Sequence, residues 1–407
     1  MSLPRAGLCC SSYLSKIRDA RCRQKAFLSR LSLIFLKIRS LGIGSPANNP
    51  PQATGDSSKF FSGFKDLALP LSRQRTAHFT MSFGWGLAVL IGNAVSAVSA
   101  SGCGSAPTVQ PASENDITLQ NSNRSYLYWL PKDYDGSKPT PLIFSFHGAG
   151  GTAKTQADLD GLTTSEFNTD HILVYLQSTG DGENLWEVSP EVHVDDVAYT
   201  LEVLDRVQDE LCIDDSRIYA TGMSQGGGMV NLLACDTDAS KRFAAYAPVA
   251  GAFYYEENKN DKCDPDNATF QCSPGRDDIP ILAFQGGADD VVQYKGGSRR
   301  GGCLPNVGHW ASEWAVREGL GPDVTEEEEI TSAATKYLYG SGSEKGLVSL
   351  VYAGKKVGHV WPATVDSDGD EPGTASFNAS SLIMEFFKEK QLPCVITLVM
   401  LFPDQSS

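Results

Sequence analysis

The chain has 407 residues, an ordinary globular composition and a formal net charge of −15 at pH 7. Residues 1–80 hold 13 basic and 3 acidic residues, which leaves 21 basic and 46 acidic residues, a net charge of −25, for the rest of the chain. This excess of negative charge repels phosphates, so it argues against nucleic acid and anionic membrane surfaces as partners.

Two segments precede the first globular pattern. Residues 1–80 have the Arg- and Ser-rich start of a transit peptide, but we interpret them as a non-native leader from an extended gene start. Residues 81–100 are predicted to be a signal peptide, because the apolar run Phe83–Val95 is followed by small residues at Val98–Ala100, the spacing that signal peptidase cleaves. The run is too short to span a bilayer, which disfavours a membrane anchor. The mature protein is therefore expected to be secreted and free of the membrane.

Residues 101–392 read as one domain in which β-rich apolar runs alternate with helical patterns. The predicted strands are Ser125–Leu130, Leu142–Phe146, Ile172–Leu176, Arg217–Met223, Phe243–Val249, Ile279–Phe284 and Leu347–Tyr352. The predicted helices are Val197–Leu211, Gly226–Cys235, His309–Glu318 and Ser376–Lys390. This alternation predicts an α/β fold with a mostly parallel central sheet and helices on both faces.

Three acidic or apolar stretches are assigned no role in the chemistry. The acidic segments Glu326–Glu329 and Asp366–Asp370 are both interpreted as solvated loops, since the second lacks the closing Glu of an EF-hand. Residues 393–407 form an apolar tail that fits no expected element. No paired CxxC is present, so a zinc site is not expected. No other metal and no cofactor are expected either.

The strongest chemical signal is Gly222-Met223-Ser224-Gln225-Gly226, between a predicted strand and a predicted helix. A serine on such a tight turn needs small residues two positions before and after it, because the backbone passes too close to its neighbours for a Cβ. The turn exposes the hydroxyl of Ser224 and aims the amide of Gln225 at a developing oxyanion. We therefore predict that Ser224 is a nucleophile.

A second glycine-rich loop, His147–Gly151, directly follows another predicted strand. Its backbone can face the nucleophile, and the amide of Ala149 is our candidate for the second oxyanion donor. We interpret His147 as an orienting residue rather than a catalytic one.

The base and the acid must follow Ser224 in the chain order of this fold. Only His309 and His359 qualify as the base, and His359 is preferred because it follows the last predicted strand, whereas His309 begins an amphipathic helix. For the acid, Asp289 and Asp290 both follow a strand through two glycines, and Asp289 is favoured because it comes first. The predicted triad is Ser224, Asp289 and His359.

The cysteines and sequons agree with export. Six cysteines in the domain suit three disulfides in an oxidising compartment. The strand after Cys212 climbs about 23 Å and the helix that ends at Cys235 descends about 16 Å, so we predict that these two pair. Cys263 with Cys272 follows by proximity and Cys103 with Cys303 by elimination, and the other connectivities stay open. Asn123, Asn267 and Asn378 are predicted to be glycosylated.

The segments GMSQGGGM, GGADDVVQYKGG, GHVWP and FNASSLIMEFF resemble the secreted feruloyl esterase and polyhydroxybutyrate depolymerase group of α/β-hydrolases, over about residues 101–391. The start SGCG and the sequence around Cys212 and Cys235 resemble fungal feruloyl esterases in particular. The chain departs from the group at Gln285, where a histidine is frequent, and at Gln293, where proline is usual.

The resemblance implies the α/β-hydrolase fold and hydrolysis of carboxylic esters, with the triad in the roles given above. The expected substrate is a small ester or a feruloylated plant polysaccharide, and the expected protein is a monomer. A polyhydroxybutyrate depolymerase, a general short-chain or acetyl xylan esterase, and an inactive hydrolase fold used for binding are the alternatives. Trp186, Trp310 and Trp361 could form an aromatic platform for a polymer, although core packing suits Trp310 better.

Overall fold

The structure is a computed structural model that describes residues 102–104, 114–118, 124–180, 182–255, 263–268, 271–365 and 374–393. The leader, the signal peptide, Asn123, the acidic segment Asp366–Asp370 and residues 394–407 of the tail lie outside the described residues.

Twelve strands lie in the described part of the chain. They are β1 Glu114–Thr118, β2 Ser125–Trp129, β3 Thr140–Phe146, β4 Ile172–Leu176, β5 Ile213–Met223, β6 Ala245–Val249, β7 Ile281–Gln285, β8 Gly297–Arg299, β9 Gly302–Leu304, β10 Glu326–Thr331, β11 Ala334–Leu338 and β12 Val348–Tyr352. Ten of them form one sheet in the order β1-β2-β4-β3-β5-β6-β7-β12-β11-β10, and β8 and β9 form a separate hairpin. The six strands from β4 to β12 run parallel, while the two strands at each edge pair in antiparallel fashion.

Helices cover both faces of this sheet. They are α1 Ala153–Asp160, α2 Asp196–Glu210, α3 Gln225–Cys235, α4 Val307–Arg317 and α5 Ala379–Lys388, and short 3₁₀ turns occur at Ala239–Lys241 and Gly342–Glu344. Residues of α1 and α5 share one hydrophobic core, and residues of α2, α3 and α4 share the other. Among the described residues, no helix combines the length and the hydropathy of a membrane span.

Successive side chains of the central strands point alternately into the two cores. In β3, Phe144 and Phe146 enter the core beneath α2, α3 and α4, whereas Ile143 enters the core beneath α1 and α5. Every residue of β3 is buried, as expected for a parallel strand that is covered on both faces. The side chain of Asn231 joins α3 to α4, because its oxygen accepts hydrogen bonds from the indole N–H groups of Trp310 and Trp314.

The parallel sheet, its two helical layers and the strand–serine–helix turn at β5 and α3 together make an α/β-hydrolase fold. The predicted fold class is therefore confirmed. Each of the seven predicted strands and four predicted helices has a counterpart within a few residues.

Two local predictions were wrong or incomplete. Glu326–Glu329 is not a loop but most of strand β10, whose glutamate side chains stay exposed while the backbone pairs with β11. Helix α1 was not predicted, because its sequence AKTQADLD shows almost no apolar periodicity. Thr152 caps it through a hydrogen bond from the backbone N–H of Thr155, and Gly161 ends it in the left-handed conformation.

The disulfide connectivity differs from the prediction in all three bridges. The bridges are Cys103–Cys212, Cys235–Cys272 and Cys263–Cys303. The predicted pairs Cys212–Cys235, Cys263–Cys272 and Cys103–Cys303 are therefore wrong. The rise of the strand after Cys212 and the descent of the helix that ends at Cys235 predict only that both cysteines lie near the same end of the sheet. They do not determine how far apart the two cysteines lie across the sheet.

Local contacts explain the observed pairs. The backbone at Gly102 runs so close to Leu211 that a Cβ there would lie 2.4 Å from its carbonyl oxygen, which brings Cys103 to Cys212. The N–H of Ser273 donates to the carbonyl of Cys235 at 3.1 Å, which places Cys272 beside it. An isolated antiparallel β-bridge pairs Tyr255 with Cys303, the residue that forms the disulfide with Cys263.

Candidate active site

Ser224 occupies the turn between β5 and α3 in a conformation that few side chains adopt. Its backbone angles are φ 57° and ψ −120°. A Cβ at Gly222 would lie 2.7 Å from the carbonyl oxygen of Phe146, and one at Gly226 would lie 2.0 Å from the same atom. Glycine is therefore required at both positions, and the close packing against β3 stabilises the strained turn.

Asp289 lies in the loop after β7, where its buried carboxylate accepts four hydrogen bonds. Oδ1 accepts from the backbone N–H groups of Val291 and Val292 at 2.9 and 2.7 Å. Oδ2 accepts from Gln285 Nε2 at 2.7 Å and from His359 Nδ1 at 2.8 Å. Since each lone-pair direction is used, the carboxylate is fixed in position and orientation.

The loop after β12 brings His359 to this carboxylate. The N–H of Ala288 donates to the carbonyl of Val357 at 2.9 Å, so the two loops are joined by the backbone as well. A Cβ at Gly286 would lie 2.3 Å from that same carbonyl oxygen. Because a carboxylate can only accept, Nδ1 of His359 donates this hydrogen bond, and Nε2 is the nitrogen that remains to act as a base.

Ser224 and His359 line one cleft of about 420 Å³. The imidazole is 12% exposed at its wall, and Ser224 is 9% exposed. Within the described residues, Ser224 Oγ has no hydrogen-bond partner, so the two side chains share the cleft without being joined by a hydrogen bond. The predicted oxyanion residues Ala149 and Gln225 also line this cleft.

The two alternative candidates lie elsewhere. Asp290 is exposed, and the carboxylate that pairs with the imidazole is that of Asp289. His309 lies on α4, where its Nε2 donates to the carbonyl of Ala268 at 2.8 Å. The structure thus brings Asp289 and His359 together and leaves Asp290 and His309 outside the site.

The glycine-rich loop after β3 passes directly over Ser224. A Cβ at Gly148 would lie 3.3 Å from the Cβ of Ser224, and the N–H of Gly150 donates to the carbonyl of Asn184 at 3.1 Å. In the described part of the chain, the N–H of Ala149 donates to no protein acceptor. Gln225 is the first residue of α3, where the amides are free of intrahelical partners and the helix end is positive.

Trp186 connects the two parts of this arrangement, a role that sequence reasoning missed. Its indole N–H donates to the carbonyl of His147 at 2.7 Å, and its backbone N–H donates to Gln225 Oε1 at 3.1 Å. One buried residue therefore ties the glycine-rich loop to the start of α3. The only sign of this role in the sequence is the residue type, because a buried tryptophan usually needs an acceptor for its indole N–H.

His147 is a structural histidine, as the sequence indicated. Its Nε2 accepts from the N–H of Ser178 at 3.2 Å, and its Nδ1 donates to the carbonyl of Gly148 at 2.7 Å. Burial lowers the pKa of His147 to about 4, so the ring stays neutral near pH 7. It holds the loop over Ser224 and leaves proton transfer to another group.

A buried polar network lies behind the base. Asp160 accepts from Ser145 Oγ at 2.7 Å and from Tyr175 OH at 3.0 Å, while its backbone carbonyl accepts from Ser380 Oγ at 2.6 Å. Ser380 in turn accepts from the indole N–H of Trp361 at 2.9 Å, two residues after His359. Burial raises the pKa of Asp160 to about 7. The network anchors the segment that carries the base to α1.

The predicted aromatic platform is wrong. Trp186, Trp310 and Trp361 are 0%, 1% and 2% exposed, so none of them can stack on a polymer. Each indole N–H is satisfied by an internal acceptor instead.

Comparison with known proteins gives one consistent result. No family model matches the chain. The probable feruloyl esterase C of Aspergillus oryzae is 31% identical over 209 residues, which are 50% of this chain and 67% of that protein. This chain belongs to the feruloyl esterase family.

Other relatives in this family align over different shares of their length. The probable feruloyl esterase C of Aspergillus niger is 27% identical over 289 residues, 70% of this chain and 90% of that protein. Feruloyl esterase B of Piromyces equi is 30% identical over 176 residues, and the chain spans only 31% of that protein. Among solved structures, an acetyl xylan esterase from Aspergillus awamori aligns with 68% of this chain and 99% of its own, at 17% identity and a TM-score of 0.49.

Proposed function

We propose that this protein is a serine carboxylic-ester hydrolase that releases hydroxycinnamic acids such as ferulate from plant cell-wall polysaccharide through an acyl-enzyme. The observation that carries the proposal is the contact between Asp289 and His359 in the same cleft as the strained Ser224. Family membership gives the substrate class, because relatives that align over two thirds or more of their length carry the name feruloyl esterase.

In acylation, His359 Nε2 removes the proton of Ser224 as Oγ attacks the ester carbonyl carbon. A rotation of the serine side chain toward the imidazole supplies the hydrogen bond that this step needs. The carbonyl π electrons move onto oxygen, and the N–H groups of Gln225 and Ala149 stabilise the resulting oxyanion. When the intermediate collapses, the bond to the sugar oxygen breaks, and the imidazolium gives its proton to that oxygen, which leaves as a hydroxyl group.

Deacylation repeats this sequence with water. His359 takes a proton from the water molecule, whose oxygen attacks the feruloyl carbonyl, and the proton then returns to Ser224 Oγ as the acid leaves. Asp289 stays ionised throughout and stabilises the imidazolium that forms in both halves of the reaction. Its fixed orientation follows from the two backbone N–H groups and Gln285.

The cleft suits a planar aromatic acid. Its volume of about 420 Å³ lies within the range of small-molecule sites. Apolar side chains of Leu159, Met223, Val291 and Val292 line it together with the ring of Tyr254. A rigid phenolic ring loses little rotor entropy on such walls, whereas a flexible aliphatic polyester loses more.

The protein is further proposed to be secreted, with a signal peptide over residues 81–100. Three disulfides join residues of the described domain, which is typical of proteins from oxidising compartments. Of the proposed glycosylation sites, Asn267 is exposed on a turn and Asn378 is half-buried at the start of α5, while Asn123 lies outside the described residues.

Steady-state kinetics with methyl ferulate, p-nitrophenyl butyrate and a hydroxybutyrate trimer test this proposal. We expect kcat/KM to be highest for methyl ferulate. A trimer that is hydrolysed about tenfold faster than methyl ferulate, a preference of about 1.4 kcal/mol in the transition state, would instead identify a depolymerase.

A further inference from the structure

The charged groups of the cleft have the opposite sign to the protein. The chain carries 49 acidic and 34 basic residues. Among the described residues that line the cleft, however, the only lysine or arginine side chains are those of Arg299 and Arg300, and no carboxylate is present. The proposed reaction uses neither guanidinium, so the two arginines in this cleft have no role in the chemistry described above.

The fold holds both arginines at the tip of the β8–β9 hairpin. Arg300 adopts a positive φ of 48° and forms an ion pair with Glu191 at 2.7 Å. A Cβ at Gly302 would lie 2.7 Å from the side chain of Pro190, so the hairpin packs tightly on the segment that carries Glu191. The disulfide Cys263–Cys303 ties the hairpin to a second segment. The hairpin that carries the two arginines is therefore held in place by an ion pair, by close packing and by a disulfide.

The two arginines differ in how far their charge is neutralised. Arg300 shares its charge with Glu191, whereas Arg299 has no carboxylate within ion-pair distance among the described residues. Arg299 is half-buried, which weakens screening by solvent. It lines the cleft beside Tyr254. Burial raises the pKa of Tyr254, and the positive charge of Arg299 and its hydrogen bond to the Tyr254 side chain oppose that rise. The uncompensated positive charge at the cleft is therefore that of Arg299.

We propose that Arg299 binds a carboxylate carried by the ester substrate, so that the enzyme prefers anionic feruloyl esters to neutral ones. This inference rests on the proposed function. A guanidinium donates two parallel N–H groups to a carboxylate, and a partly buried site strengthens that pair. The carboxylate can belong to a uronic acid on the sugar side of the ester or to a second carboxyl group on the acyl side.

A single carboxylate fits the site better than a polyanion does. The net negative charge of the protein repels an extended chain of negative charges, whereas one carboxylate that enters the cleft meets the two arginines that line it. Arg299 would thereby fix the register of the substrate, since Ser224 and Arg299 would each bind one defined group of it.

Two matched substrate pairs test the proposal. The sugar-side pair is a feruloylated xylo-oligosaccharide with and without a glucuronic acid branch. The acyl-side pair is the monomethyl ester of a ferulate dimer whose second carboxyl group is either free or a primary amide. The readout is the ratio of kcat/KM for the charged member to that for the neutral member. It is measured for the wild type, Arg299→Gln, Arg299→Lys and the control Arg217→Gln, which removes one charge from the N-terminal half of β5, outside the cleft.

For the wild type at about 20 mM salt, we expect a ratio of about tenfold in at least one pair, the scale of one charge-assisted hydrogen bond. The pair that shows it identifies the source of the carboxylate. The ratio should fall toward one in Arg299→Gln, recover in part in Arg299→Lys, persist in Arg217→Gln, and decline for the wild type as NaCl is raised to about 0.5 M.

Wild-type ratios below twofold in both pairs would overturn the proposal, as would a ratio that survives in Arg299→Gln. The salt series uses only the wild type, so it tests whether the preference is electrostatic even if a substitution impairs folding. Failure to hydrolyse any feruloyl ester would refute the proposed function itself. Hydrolysis without charge preference would refute only the role of Arg299.

Discussion

His359 Nδ1 lies 2.8 Å from Asp289 Oδ2, and this contact joins two loops that are 70 residues apart in the sequence. The parallel sheet makes it possible, because β7 and β12 are neighbours and both loops leave their carboxyl ends. The contact fixes which ring nitrogen carries the proton, and hence which nitrogen can act on Ser224.

We expect Asp289→Asn to lower kcat on methyl ferulate by about 10⁴-fold, because an amide at this position favours the wrong tautomer of the imidazole. The matched control is Asp290→Asn, which alters an exposed side chain one residue away and should change kcat by less than about threefold. A larger loss in the control than in Asp289→Asn would contradict the assignment.

Gln285 is predicted to be a positioning residue for the acid. Its Nε2 donates to Asp289 Oδ2 and to the carbonyl of Val292 at 2.7 and 2.8 Å. Gln285→Leu should lower kcat by about 10- to 100-fold with little change in KM, the scale of one hydrogen bond to a charged group.

The variant Gln285→His keeps an N–H donor at this position. It should recover most of kcat. Equal losses in both variants, or a loss that appears in KM alone, would show that Gln285 has no role in orienting the acid.

The observed connectivity predicts unequal stabilisation by the disulfides. Cys103–Cys212 closes a segment of 109 residues, and Cys235–Cys272 closes one of 37. Paired Cys→Ser replacements should lower the free energy of unfolding by about 5 and 4 kcal/mol, respectively, in the chain-entropy account. Denaturant unfolding measures both values. Non-reducing peptide mapping that recovers Cys212 linked to Cys235 would show the connectivity to be wrong.

The buried carboxyl of Asp160 makes stability depend on pH. Its folded pKa is raised to about 7, so between about pH 4 and pH 7 the folded state holds a proton that the unfolded state releases. The contribution of Asp160 to the free energy of unfolding is therefore fully present below about pH 4 and is lost as the pH rises through 7. The free energy of unfolding falls by up to about 1.4 kcal/mol for each pH unit in this range.

His147 has the opposite effect on the pH dependence of stability, because its pKa is lowered to about 4 in the folded state. Its contribution to the free energy of unfolding is present above pH 6.5 and is lost as the pH falls below that value. The two effects offset each other over much of the range, so the test is a difference. The free energy of unfolding of the wild type minus that of Asp160→Asn should fall steadily from pH 4 to pH 7. A flat difference would contradict the raised pKa.

The most accurate predictions from the sequence concern features that depend on a single interaction, such as strand burial or close backbone contact. Runs such as Leu142–Phe146 and Ile172–Leu176 can only be buried strands, and the glycines around Ser224 follow from backbone contact alone. The order of serine, acid and base along the chain, together with strand ends, was enough to select Asp289 and His359.

Features that depend on lateral placement were not predictable in this way. The cysteine pairs require knowing which loops meet, and a height along the sheet does not determine that. Helix α1 is held by Thr152, Gly161 and the network at Asp160 rather than by an apolar stripe. Strand β10 forms because its backbone pairs with β11, although four glutamates lack strand propensity.

The activity of Ser224→Ala on methyl ferulate tests the central claim most directly. Its kcat should fall by about 10⁴- to 10⁶-fold relative to the wild type, since the triad acts as a unit. Circular dichroism and denaturant unfolding should show an intact fold, because the substitution removes one hydroxyl that has no partner among the described residues. Activity within about tenfold of the wild type in the folded variant would contradict the account.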